Sequence, residues 1–360
     1  MYKNLFRSAL VGFPHLQILS RNSNNLFSIR LLSTHKNKSK RTNNMEPRYD
    51  LNRKWVLMQK SAPNKKNSFK LVSYNILAQD LLLEHMYLYV EIQQKCLIWR
   101  RRMQNIQREL TKLDPDIVCL QEMQYDHLPK LVHHISELNG KRLEYVYKKK
   151  TGSRTDGCAI IYDACKFQLL EHRGLEMFTE NVPLLNRENV ALLAKFRLKQ
   201  PERLTENMDK EIVVATTHLL YNPKREDVRC AQVQKLMREL LNFARDANDG
   251  MITPVVLTGD FNSTINSEPI ALLTDKKADD TTSFNFEALD PGECYASTFQ
   301  GKWITVDYIL RSACVQSKHQ LQVQGVYSLP TVESCTRSGP IPNHYLGSDH
   351  YALGAVFALA

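Results

Sequence analysis

Residues 254–263 read PVVLTGDFNS, an apolar run that ends in Asp260 and Asn262. Bounded by Pro254 and Gly259, the run has the length of a strand rather than a helix. Its carboxylate and amide fall where a strand gives way to a loop, the place where a rigid scaffold presents reactive groups. Alone, the stretch could be a turn built on Gly259. The same pattern recurs along the chain, however. Asn75 stands in LVSYNIL, Glu122 in IVCLQEM, His218 in VVATTHL, Asp307 in ITVDYIL, and Asp349 and His350 in LGSDHYAL. Asp307, set between Val306 and Tyr308, is costly in an apolar strand unless it is paired or bound to a metal.

Working outward from 254–259, further strands fit 69–77, 116–123, 144–149, 157–162, 167–172, 190–198, 211–219, 303–311 and 351–358. An amphipathic helix fits 98–113, with Ile98, Met103, Ile106, Leu110 and Leu113 at helical spacing and Asp114-Pro115 ending it. A second fits 126–138, with Asp126 as its N-cap. A long helix fits 226–247 and a short one 268–275. Many strands with few helices between them imply a four-layer α/β sandwich, two packed mixed β-sheets flanked by helices, in a single catalytic domain.

The 360 residues carry a net charge of +10, but eight Lys/Arg and no acid lie in residues 1–44. Subtracting those eight leaves 40 basic against 38 acidic residues, so the body is nearly neutral. Nucleic-acid binding would therefore come from a local patch or a metal site, not from a global basic field. Residues 1–44, rich in Arg, Ser and Asn, have the composition of a mitochondrial transit peptide or of a disordered basic extension. Mitochondrial localisation is the expectation, with the cytoplasm as the alternative. Residues 45–68 read as a linker anchored by Trp55, and 69–360 as the catalytic domain. No apolar stretch approaches the roughly 18 residues of a membrane span, so membrane insertion is not expected. The eight cysteines form no CxxC pair and read as reduced, mostly buried thiols.

Hard oxygen ligands without a Cys/His cage favour Mg²⁺, with Mn²⁺ as a substitute. Carboxylates and two histidines beside such an ion suit attack of water on phosphorus. One Asp would deprotonate the water and charged imidazoles would hold the developing oxyanion. Each motif alone could be a cap, a turn or a solvated strand end. Their ordered occurrence, each on its own strand, is hard to obtain by chance.

SYNIL, LQE, THL, GDFNS, VDYIL and SDH, in this order, resemble the endonuclease/exonuclease/phosphatase superfamily. SYNILAQDLL (73–82), GCAIIY (157–162), RENVALLA (187–194) and THLLYNPKREDVRCAQ (217–232) most resemble its Angel proteins, relatives of the nocturnin and carbon-catabolite-repression deadenylases. The resemblance covers about 69–358. It implies Glu122 as the principal metal ligand, with Asn75 beside it and Asp349 near the ion. It implies that Asp260 positions or deprotonates the water, that Asn262 contacts the scissile phosphate, and that His350, oriented by Asp307, neutralises it. His218 would contact a non-bridging oxygen, and Asn189 would lie near the substrate. No leucine-rich repeats precede the domain, so docking of the kind used by the large deadenylases is not expected.

The expected partner is an RNA 3′ end. The leading reaction is 3′→5′ exonucleolytic removal of nucleotides, poly(A) in particular. The alternative is hydrolysis of a 2′,3′-cyclic phosphate at the RNA end. Further alternatives are DNA or phospholipid substrates and a non-catalytic RNA-binding module that controls translation. Lys141, Arg142, Lys148, Lys149, Lys150 and Arg154 would form a phosphate-guiding rim or a solvated hairpin edge. Trp303 and Tyr308 read as buried in the sheet rather than stacked on a base.

Overall fold

The computed structural model describes residues 51–58, 67–199, 210–275, 284–289, 292–313 and 316–360. Segment 1–44 and most of the 45–68 linker lie outside the described residues. Among them, one sheet has seven strands, in spatial order β1 (Trp55–Leu57), β14 (Leu321–Tyr327), β15 (Leu353–Leu359), β2 (Ser68–Asn75), β3 (Ile117–Gln124), β5 (Asp156–Asp163) and β4 (Leu143–Lys149). The other has six: β10 (Asn285–Ala288), β13 (Asp307–Ala313), β9 (Val255–Asp260), β8 (Glu211–His218), β7 (Val190–Leu198) and β6 (Phe167–Glu176). A short ribbon joins β11 (Thr298–Phe299) to β12 (Trp303–Ile304).

Alternation along the central strands makes the layers. In β2, Leu71 points to the core between the sheets and Val72 to the outer side; in β8, Val214 points inward and Val213 outward. The inner core joins Leu71, Ile117, Cys119 and Ile160 of one sheet to Leu192, Phe196, Ile212 and Val256 of the other. Outside the first sheet lie α3 (Trp99–Leu113) and α4 (Leu128–Asn139), packed through Met103, Ile106, Leu110, Leu131 and Ile135. Outside the second lie α5 (Glu226–Ala244) and α6 (Glu268–Thr274), packed through Val233, Leu236, Leu240, Ile270 and Leu273. These strands are apolar on both faces because both faces are covered. The expected sandwich is observed.

Each sheet holds one parallel pair, β2 with β3 and β8 with β9, and all its other pairings are antiparallel. A parallel pair needs a crossover, supplied by helices in both cases. Ligands gather at the carboxyl ends of parallel strands. Those ends carry Asn75, Glu122, His218 and Asp260.

Several elements differ from the sequence reading. Trp55 lies in β1 and packs on Tyr327 at 5.3 Å, so part of the expected linker belongs to the sheet. Asp126 caps no helix: it sits in a 3₁₀ turn, Tyr125–His127, and α4 begins after it without a side-chain cap. The run 303–311 is two strands, because Val306 and Asp307 both send their N–H to Ser297 Oγ, at 3.1 and 3.3 Å. Helices α1 (Gln79–Glu84), α2 (Gln94–Leu97) and α7 (Val332–Ser338) and strands β10 and β14 were not foreseen. Seven free cysteines are described, with Cys165 and Cys294 exposed; Cys314 lies outside the described residues. Tyr308 is buried as expected, and Trp303 packs half-buried against the inner core.

Candidate active site

Backbone registry assembles the site before any side chain does so. Asn75 lies opposite Gln121, and Asp260 lies between His218 and Asp307 as the partner of both. Gly259 makes the tight β8–β9 approach affordable. Its φ is +147°, and a Cβ there would stand 2.1 Å from the Thr217 carbonyl oxygen. Glu122 sits at a register break in β3 with a φ of 56°, and Asn262, two residues past Asp260, has a φ of 49°. Positive φ in a non-glycine residue costs roughly 1–3 kcal/mol and concentrates at functional sites. The bulge turns the Glu122 side chain out of the strand's alternation.

The nine residues expected at the site fall into one cluster. Asn75 Nδ2 donates to Glu122 Oε1 at 2.9 Å and to Asp260 Oδ2 at 3.0 Å. His218 Nε2 is 3.6 Å from Asp260 Oδ2, and its Nδ1 is 3.9 Å from Glu122 Oε1. That Nδ1 is buried without a hydrogen-bond partner. His350 Nε2 stands 3.7 Å from Asp260 Oδ2, while its Nδ1 is bonded to Asp307 Oδ2 at 2.8 Å. Asp349 Oδ1 lies 4.0 Å from His350 Nε2, and Asp349 Oδ2 accepts from Tyr89 Oη at 2.8 Å. Asn262 donates its N–H to Asp260 Oδ1 at 2.9 Å and its Nδ2 to Leu219 O at 3.0 Å. Asn189 bonds His218 O at 2.9 Å and accepts from Gln232 Nε2 at 3.0 Å. Both ends of the Asn189 amide therefore serve protein partners and hold the backbone of His218.

Charge is distributed unevenly. Burial pushes the Asp260 carboxyl up to about 7; Asp307 adds to the rise, and His350, Asn262 and Asn75 oppose it. Burial also raises Glu122, with Lys150 and Asn75 pulling it back and Asp349 and Asp156 adding to the rise. Burial lowers His218 well below the ordinary imidazole value, helped by Lys150 and His350. For His350 burial acts in the same sense but is outweighed by Asp307, Asp260 and Asp349, which hold it well above that value.

Glu122 is not an exposed ligand whose loss would leave its surroundings untouched. It is 9% exposed, and its Oε2 accepts the Ala78 N–H at 3.0 Å, so its removal would strand two donors. Apart from exposed Lys149, the basic stretch is paired rather than forming an open rim. Lys141 pairs with Asp114 and Asp116, Arg142 with Glu144, Lys148 with Glu176, and Arg154 with Glu188 and Glu84. Lys150 is buried, bonded to Asp156 at 2.7 Å, where its charge acts on Glu122. Sequence reasoning missed Tyr89, for which no motif gave a signal. It also missed Ser348, whose hydroxyl bonds Asn75 O at 2.6 Å and which stood unremarked inside GSDH.

The donor set fits a hard divalent cation. Glu122, His218 and Asp260 each offer one atom within 4.8 Å of the others. Five carboxylates, Glu122, Asp260, Asp307, Asp349 and Asp156, share His350, Lys150 and Arg102 as their cationic neighbours. The surplus negative charge and the unpaired His218 Nδ1 both invite a cation.

Residues 72–350 match the family model described as endonuclease/exonuclease/phosphatase family. The chain is 56% identical over 324 residues to Protein angel of Drosophila melanogaster, covering 88% of this chain and 89% of that relative. It is 39% identical over 211 residues to Protein angel homolog 2 of Danio rerio, covering 59% of this chain and only 36% of that longer relative. Among solved structures it resembles ANGEL2, a 2′,3′-cyclic phosphatase, in complex with adenosine-2′,3′-vanadate. The TM-score is 0.73 at 29% identity, over 85% of this chain and 98% of that one. The human Nocturnin catalytic domain with bound sulfate shares the fold, with a TM-score of 0.60 at 21% identity over 87% and 99% of the two chains.

Proposed function

The chain belongs to the endonuclease/exonuclease/phosphatase family, on its Angel branch, and is a divalent-metal-dependent phosphoric ester hydrolase; from this premise we propose that it hydrolyses 2′,3′-cyclic phosphate at RNA 3′ ends. The observation that carries the chemistry is Asp260, a buried carboxylate raised to about 7 between a neutral and a charged histidine. A carboxylate with that value is a stronger base than an ordinary one, and about half of it is still unprotonated near neutral pH. The substrate class rests on the similarity to ANGEL2, described as a 2′,3′-cyclic phosphatase. That similarity supports reading cyclic-phosphate hydrolysis first and 3′→5′ exonucleolysis, which the sequence alone put first, second. Exonucleolysis is the second reading, since one water-activating site serves both reactions.

Glu122, Asn75 and Asp349 would hold the metal, and hard oxygen donors favour Mg²⁺ over softer ions. When bound, such an ion supplies positive charge against the phosphate oxygens. The chain's own groups do the rest. Asp260 takes the proton of the attacking water. Asn75, donating to both Glu122 and Asp260, fixes the spacing of those two carboxylates. His350 presents a protonated Nε2, its other nitrogen pinned by Asp307, to oxygen that gains charge. Neutral His218 contributes a hydrogen bond but no charge. Water adds across one P–O bond of the ring, leaving a phosphomonoester and a free hydroxyl.

The test uses 5′-labelled RNA ending in either a cyclic phosphate or a 3′-OH poly(A) tail, with Mg²⁺ or EDTA. Loss of the cyclic phosphate at constant RNA length supports the proposal. A ladder of shortened tails with an intact cyclic end would replace it with exonucleolysis. The acid-free segment 1–44 supports mitochondrial import, and a reporter fusion left diffuse in the cytosol would overturn that assignment.

A further inference from the structure

Arg102 on α3 is 0% exposed, an unusual place for a guanidinium. Its fork makes four hydrogen bonds. Nε donates to Gly347 O at 2.8 Å, Nη1 to Gln79 Oε1 at 2.9 Å, and Nη2 to Ile76 O at 2.7 Å and Leu77 O at 2.5 Å. These acceptors come from two loops far apart in sequence. Ile76, Leu77 and Gln79 follow Asn75 directly, and Gly347 stands two residues before Asp349. Leu77 has a φ of 57°, a left-handed conformation costing roughly 1–2 kcal/mol in a non-glycine residue. Its carbonyl is turned onto the guanidinium. The second loop also presses on the same helix residue from its backbone side. A Cβ on Gly347 would stand 2.3 Å from the Arg102 carbonyl oxygen, so only glycine allows this approach. Ser348 Oγ closes the link between the loops by donating to Asn75 O at 2.6 Å.

We propose that Arg102 is a positioning residue for the metal-holding side of the site, tying the loop after Asn75 to the loop that carries Asp349 and His350. This rests on the reading of Asn75 and Asp349 as metal-side residues. Arg102 touches neither substrate nor metal and acts through the two backbones. A guanidinium is required because four oxygens arranged around one plane match its fork, whereas an ammonium offers three donors from a single point. Burial lowers the Arg102 pKa to about 10, so the clamp keeps its charge at neutral pH.

Arg53 provides an internal control. It too is buried, bonding Glu109 Oε1 at 3.1 Å, Ser328 O at 2.9 Å and Ala352 O, and it lies over the Tyr327 ring. Its hydrogen bond to the loop that carries Asp349 and His350 is at Ala352 O, where that loop enters β15, and it makes none to the loop after Asn75, so it does not tie the two loops together.

The experiment titrates the full chain with MnCl₂ by calorimetry, and measures turnover on cyclic-phosphate RNA and the thermal midpoint. Arg102→Lys is expected to weaken Mn²⁺ binding and to lower kcat about 10–100-fold each, with KM for RNA within about twofold, the scale seen when a residue orienting metal ligands is lost. Arg53→Lys is expected to lower the midpoint as Arg102→Lys does while leaving the Mn²⁺ Kd and kcat within about twofold. Gln79→Ala removes one acceptor from the clamp and leaves the core intact, so it carries the test should Arg102→Lys not fold. It is expected to weaken Mn²⁺ binding roughly threefold, in proportion to one lost hydrogen bond. Mn²⁺ affinity unchanged in Gln79→Ala and in a folded Arg102→Lys would overturn the clamp. A wild-type chain that binds no Mn²⁺ would overturn the metal reading, and the clamp with it.

Discussion

His218 and His350 are both buried, and each places Nε2 within 4 Å of the same oxygen, Asp260 Oδ2. They are driven to opposite charge states. His218, at the end of β8, has an Nδ1 with no hydrogen bond, and the like charges of Lys150 and His350 add to burial in keeping it neutral. His350, ahead of β15, has Asp307 on its Nδ1, and the carboxylates around it outweigh the same burial. Desolvation penalises charge at both positions; the partner on the far nitrogen decides which imidazole keeps its proton. The two sheets thus deliver two histidines to one carboxylate and give them different work.

The sharpest way to break this comparison is Asp307→Asn. The amide keeps the size of the carboxylate but removes the charge that holds His350 protonated. Turnover on cyclic-phosphate RNA is expected to fall roughly 10²–10⁴-fold, the scale of a lost general-acid or oxyanion group. The high-pH limb of kcat should move to lower pH, because the imidazole would lose its proton earlier. A limb left in place would mean that Asp307 does not set the charge. Stability carries the same sign. The fold raises His350 above its ordinary 6.5, so its contribution is complete below that pH and is lost as pH rises through the raised value. Asp307→Asn should flatten this alkaline loss in thermal midpoints measured across pH.

His218→Ala is the counterpart and should cost less. A neutral imidazole supplies one hydrogen bond, net about 0.5–1.5 kcal/mol, or roughly tenfold in kcat. The shape of the pH profile should survive, since the lost group does not titrate in the working range. A shifted limb would show that His218 does carry charge, and the contrast between the two histidines would collapse.

What the sequence revealed follows the same physical division. Strands covered on both faces, such as β2, β3, β8 and β9, announce themselves as apolar runs, and a polar residue at their ends stands out. All nine expected site residues sit on or beside such runs and meet in one cluster. The supporting parts were illegible because they obey no period. The segment holding α1, α2 and Tyr89 mixes buried Leu82 and Tyr89 with exposed Leu83, Tyr87 and Val90, so no helical stripe appears. Strand β14 loses its alternation at the register break between Val323 and Gly325. Lys150 read as one charge in a basic run, and only the fold buries it where its charge acts on Glu122, while Lys141, Arg142, Lys148 and Arg154 pair with other carboxylates and Lys149 stays exposed. The charge states of His218 and His350 were equally hidden, because apart from the adjacent Asp349 the groups that set them stand 43 or more residues away in sequence.

A third histidine supplies the smallest effect and the limiting case. His133 on α4 lies 3.3 Å from Glu137 one turn on, a contact no longer than many in the site, but the two side chains are 73% and 66% exposed. Water screens such a pair and its two side chains lose entropy to hold it, so pairs of this kind contribute about 0.5 kcal/mol or less. His133→Gln should leave turnover unchanged and move the thermal midpoint by no more than about 1–2 °C. Distance alone would predict parity with the His350–Asp307 pair. A midpoint shift as large as that of Asp307→Asn would therefore show that proximity, not burial, governs these pairs, and the explanation offered for His218 and His350 would lose its cause.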